Sequence, residues 1–111
     1  MTRRAGQDLL QGTLDMLVLK TLKGGPLHGW RITELLEEGS GRVLQVGQGS
    51  LYPALYRLER QEMIESSWGV TENNRRARYY ALTPAGHARL AEELRSWRRM
   101  SRAVELILQA P

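Results

Sequence analysis

The sequence predicts a mainly α-helical fold carrying one small β-hairpin. Apolar residues recur at spacings of three and four in three short segments ahead of residue 62 and in one long segment after residue 83. Between them, from Ile64 to Leu82, β-branched and aromatic residues break that period.

Leu9, Leu10, Leu14, Leu17 and Leu22, with Met16, Val18 and Leu19, make a strongly apolar first helix, which Asp8 is placed to cap. Val18 and Leu19 widen the stripe beyond one face, so packing on two sides is expected. Gly24-Gly25-Pro26 ends this helix. A second helix is expected from His28 to about Glu38, burying Trp30 or Ile32 together with Leu35 and Leu36. Gly39-Ser40-Gly41 stops it, and residues 42–49 read as a loop with a short extended piece at Val43-Leu44-Gln45-Val46. The third helix spans about 50–62, with Leu51, Leu55 and Leu58 on its buried face and Pro53 in its first turn. Ile64–Val70 and Arg78–Leu82 form the hairpin, with Thr71-Glu72-Asn73-Asn74-Arg75-Arg76 as its polar tip. Asn73-Asn74 suits turn chemistry. Thr83 as N-cap and Pro84 at the first helical position open the last helix, which continues to about Leu108.

Three short helices followed by a hairpin is the winged helix-turn-helix order. Residues 1–83 are expected to form that unit and 84–111 a C-terminal dimerisation helix, in one compact domain overall. In such a fold the third helix enters the major groove of DNA, and the hairpin tip touches flanking backbone or minor groove.

The composition agrees with one soluble, folded domain. The chain has 111 residues, 41% hydrophobic and 25% charged. No apolar run can span a bilayer, and no apolar stretch follows Thr2-Arg3-Arg4 as in a signal peptide. There is no cysteine, hence no disulfide or thiolate metal site; a cytoplasmic protein is the default expectation. The net charge is +4, and only Lys20 and Lys23 are lysines among 16 basic residues. From Asn73 to Arg102 eight arginines face two glutamates, so this stretch alone exceeds the net charge of the whole chain. A localised basic surface points to an anionic partner.

The segment 49–60 is the most informative. Ser50, Tyr52, Tyr56, Arg57 and Arg60 fall largely off the Leu51/Leu55/Leu58 stripe. Hydroxyls and guanidinium forks on a short helix are the groups that reach phosphates and base edges. Ser50 reads as an N-cap or a phosphate contact, and Tyr52 and Tyr56 as DNA contacts or core-edge aromatics. Arg57 is the leading candidate for base readout. Gln61, one turn on, is neutral, so no ion pair forms at that spacing; the ordinary alternative to readout is a solvated pair with Glu34, Glu37 or Glu38 where the second helix lies near. Arg75, Arg76 and Arg78 read as wing residues on phosphate or in the minor groove, the alternative being a solvated loop, and Arg3 and Arg4 as a flexible arm on DNA or as idle terminal charges.

Three segments resemble the PadR family of bacterial transcriptional regulators: residues 19–30, 49–59 (with Leu-Tyr-Pro-Ala-Leu) and 75–86 (with Tyr-Tyr-Ala-Leu-Thr). They lie in the order and spacing of that family, and the resemblance covers about residues 9–108. It implies a sequence-specific DNA-binding regulator, a homodimer on a palindromic operator, usually a repressor. The single C-terminal helix looks like the smaller subclass.

Leu90, Leu94, Trp97, Ser101, Val104 and Leu108 recur at heptad spacing on the last helix, broadened by Met100, Ala103 and Ile107. About 25 residues span about 38 Å, more than a small winged domain covers, so Leu90, Leu94, Trp97, Val104 and Leu108 are expected at a dimer interface. Trp97 reads either as a dimer-core residue or, by analogy with short family members, as a wall for a planar aromatic effector. His28 and His87 lack partners at a ligand spacing, so neither a metal nor another cofactor is expected, nor an enzyme. The rival readings are a winged-helix protein adaptor without specific DNA binding and, from charge alone, a structured-RNA binder.

Overall fold

The computed structural model describes residues 9–111. Arg3, Arg4 and Asp8, read above as an arm and a cap, lie outside the described residues. Helix α1 (Gln11–Thr21) starts at Leu10 without a side-chain cap and buries Leu14, Met16, Val18 and Leu19. Those positions surround the helix rather than forming one stripe, because α1 packs against all three other helices. The two-sided burial expected from Val18 and Leu19 is found. A 3-10 turn (Leu22–Gly24) and Gly25, at φ +133°, end it.

Leu27–His28 then form β1, which the sequence pattern missed. It pairs antiparallel with β3 (Arg76–Leu82), Leu27 opposite Tyr80 and His28 opposite Tyr79. The expected two-stranded hairpin is therefore a three-stranded sheet of order β1-β3-β2, with β2 at Ile64–Val70.

Helix α2 (Gly29–Gly39) is capped by His28, whose Nδ1 accepts from the Arg31 N–H at 3.4 Å. Of the two alternatives for its core residue, Ile32 is buried and Trp30 is exposed. Residues 43–46 form no strand; Leu44 N–H donates to Ser40 Oγ, and Val46 turns into the core.

Helix α3 (Gln48–Arg60) starts two residues ahead of the expected position. Gly47 is its N-cap, so Ser50 is not the cap but lies within the first turn. Pro53 accordingly sits in the second turn, where it removes the bond its nitrogen would donate to the Gly49 carbonyl. Leu51, Ala54, Leu55 and Leu58 are buried, as the spacing predicts. Glu62, left-handed at φ +61°, closes the helix, and the Met63 N–H donates to the Leu58 carbonyl at 2.9 Å.

The hairpin register runs from Ile64 opposite Leu82 to Val70 opposite Arg76. Asn74, at φ +59°, makes the turn and donates to the Thr71 carbonyl. Helix α4 (Pro84–Gln109) opens as expected: Thr83 Oγ1 accepts from the Gly86 N–H at 3.0 Å and donates to the Glu62 carbonyl at 2.7 Å. A Cβ on Gly86 would collide with the Met63 carbonyl oxygen, so only glycine lets α4 pack against that turn. Leu19, Leu22, Ile32, Leu51, Leu55 and Ile64 fill the core where helices and sheet meet. No described helix is long and apolar enough to cross a membrane.

Candidate nucleic-acid interface

The face of α3 opposite its leucines stays open. Ser50, Tyr52, Pro53, Tyr56 and Arg60 are exposed along it. Tyr52, Tyr56 and Arg60 are spaced by four, which stacks them one turn above another. The Arg60 guanidinium lies 5.7 Å from the centre of the Tyr56 ring, and Tyr56 is 62% exposed. Tyr52 leans on the start of α2: a Cβ on Gly29 would stand 2.7 Å from the Tyr52 hydroxyl. Gly29 thus lets the two helices of the helix-turn-helix approach closely. Beneath the strip, burial raises the Tyr80 phenol above its ordinary range, with the Arg78 charge opposing.

Arg57, the leading candidate for base readout, does not share that freedom. Its Nη2 donates to Asp15 Oδ1 at 2.8 Å and its Nε to Asp15 Oδ2 at 3.4 Å. The two side chains are only 26% and 17% exposed. The competing ion pair anticipated from α2 comes instead from α1. A guanidinium held by both carboxylate oxygens joins α1 to α3, so Arg57 is less free than the sequence suggested. On the open face the exposed guanidinium is that of Arg60. Its spacing of four from Tyr56, itself four from Tyr52, was the available signal.

The wing arginines divide into three kinds. Arg75 is exposed at the tip, its N–H on Thr71 Oγ1. Arg76 lies 4.6 Å over the Trp68 ring. Arg78 is tied inward: its Nε donates to Ser66 Oγ at 2.8 Å, Ser66 Oγ donates to Glu59 Oε2 at 2.7 Å, and Arg78 Nη2 stands 3.6 Å from Glu59. This chain of contacts fastens the sheet to the end of α3. It leaves Arg78 less free than the sequence suggested. Trp68, 59% exposed in the middle of β2, was not singled out from sequence.

On α4 the expected seam splits. Leu90 is 2% exposed and Leu94 packs partly buried against the same core, so both serve this chain's own interior. At 2% exposure Leu90 has no surface to offer a second chain, which corrects its place at an interface, while Leu94 keeps part of its surface open. Trp97, Met100, Val104, Ile107 and Leu108 are exposed, and from Arg102 onward so is every residue. Among the described residues no group of three or more His, Asp or Glu side chains is placed to hold a metal.

Residues 18–92 match the family described as transcriptional regulator PadR-like. The chain is 38% identical over 99 residues to a transcriptional regulator of Mycobacterium tuberculosis, covering 88% of each protein. The crystal structure of a PadR-like transcriptional regulator from Bacillus cereus superposes with a TM-score of 0.80 at 26% identity, covering 92% of this chain and 97% of that one. A PadR family regulator from Eggerthella lenta gives 0.77 at 29% identity, covering 91% and 86%. With its helix order, wing and projecting last helix accounted for, the chain belongs to the PadR-like family of transcriptional regulators.

Proposed function

We propose that this regulator binds a palindromic operator as a homodimer and represses a nearby gene, its own being the first candidate. The open strip of Ser50, Tyr52, Tyr56 and Arg60 on α3 carries the reading. In the major groove Arg60 reads guanine, while the tyrosine and serine hydroxyls set register on the backbone. Arg75 and Arg76 of the wing hold flanking phosphates. Residues 1–83 read DNA and 84–111 join the protomers through Trp97, Val104 and Leu108, with Met100 and Ile107 beside them. The two α3 helices then sit about one DNA turn, 34–36 Å, or a multiple apart.

The test is fluorescence anisotropy with duplex DNA from immediately upstream of the gene, against a scrambled duplex, at two salt concentrations. Preferential, salt-weakened binding to the upstream duplex is expected. Equal binding to both would contradict a specific regulator of its own gene. As the alternative role for Trp97 we propose a wall for a planar aromatic effector between the protomers, supported by its exposure on α4. Trp30 and Trp68 are exposed too, so quenching by a planar cationic dye should be read with both replaced by phenylalanine. Unchanged emission would argue against that site.

A further inference from the structure

Trp68 is a large apolar ring left in water on a polar hairpin. It stands directly opposite Arg78 in the β2–β3 ladder and diagonal to Arg76, which pairs with Val70. Side chains alternate across a sheet, so Trp68, Arg76 and Arg78 share one face with Ser66 and Tyr80. Tyr80 is buried on the core and Arg78 reaches Glu59 of α3, so this face is the one turned toward α3. The two guanidiniums lie 4.6 and 5.8 Å from the centre of the indole ring.

The two arginines differ in what else holds them. Arg78 is already bonded to Ser66 and stands beside Glu59. Among the described residues Arg76 has no carboxylate within ion-pair distance. A guanidinium stacked on a ring keeps its in-plane N–H groups free to donate, and its rotamers are already restricted. A free arginine would have to lose that freedom on binding.

We propose that Trp68 is a positioning residue for DNA: its ring pre-orders Arg76 as a phosphate clamp on the α3 side of the wing. The role rests on the DNA reading above. Arg78, anchored through Ser66, steadies the ring from the neighbouring position, so the strip on α3 continues onto the wing. Trp68 removes no charge when replaced, and this separates its role from that of Arg76.

The experiment is a double-mutant cycle on duplex affinity with Trp68→Leu, Arg76→Ala and the pair, alongside Trp68→Phe. Trp68→Leu is expected to weaken binding about two- to tenfold without changing the salt slope. Arg76→Ala should lower that slope by about one. In the Arg76→Ala background Trp68→Leu should cost nothing further, and Trp68→Phe should recover part of the loss. Losses that simply multiply, or no loss in Trp68→Leu, would overturn the proposal. A second readout needs no DNA: the Arg76 Nε–Hε resonance in the free chain should be ring-shifted, and should lose that shift in Trp68→Leu. An unshifted resonance would overturn the stack itself. A shifted resonance in a chain that binds no duplex would overturn the DNA reading, and with it the clamp, while leaving the stack intact.

Discussion

Asp15 sits on an otherwise apolar stretch of α1, between the buried Leu14 and Met16. Its pairing with Arg57 fixes α3 against the helix that also supports α4. Removing either partner strands a half-buried charge, so Asp15→Asn or Arg57→Ala is expected to cost about 1–3 kcal/mol in urea unfolding. No shift of the midpoint would mean that the pair is merely solvated. In DNA binding Arg57→Ala should act through the placement of α3, leaving the salt slope at its wild-type value. The neutral Gln61 correctly indicated that no local ion pair competes for Arg57. Spacing along a helix does not report a partner 42 residues away, which is why Asp15 was not legible. The buried stripe of Leu51, Leu55 and Leu58 was legible, because burial on one helix face is a local pattern.

The elements meet at one junction, where α3 ends, β2 begins and α4 starts. Glu62 holds the left-handed position that glycine usually occupies at a helix end, and its carbonyl accepts the Thr83 hydroxyl. Glu62→Gly removes the Cβ strain at the cost of a looser unfolded chain. A net stabilisation of up to about 1 kcal/mol is expected, read as a raised melting temperature. A lowered one would show that the Glu62 side chain contributes more than its backbone costs. Thr83 and Pro84 were readable because a cap needs only its own neighbours. Strand β1 was not: two residues carry no period, and only pairing with Tyr79 and Tyr80 makes Leu27–His28 a strand. The early start of α3 was hidden for a related reason, since Gly47 caps through its backbone with no side-chain signature.

For the molecule as a whole, α4 is an anchored mast. Leu90 and Leu94 root it in the core, and beyond them Trp97, Met100, Val104 and Ile107 face water. Val104→Glu is therefore the better probe of association than a change at Leu94, which would also disturb the core. With the proposed dimer formed through this part of α4, the variant is expected to sediment at half the wild-type mass with an unchanged fold; an unchanged mass would argue against that interface. The concentrated arginines of residues 73–102 do not form a single patch either. Arg76 and Arg78 lie on the wing, Arg89 pairs with Glu93, and Arg95, Arg98, Arg99 and Arg102 are exposed along α4. Charge counted along the chain indicated an anionic partner without showing which surface meets it. The most direct test is therefore the ratio of affinities for operator and scrambled duplex, measured in the wild-type chain and in Arg60→Ala. The ratio is expected to fall by about fivefold or more, since a good guanidinium–base contact discriminates by about 1–3 kcal/mol, while melting is unchanged. An unaltered ratio in a folded Arg60→Ala variant would contradict recognition through the open face of α3.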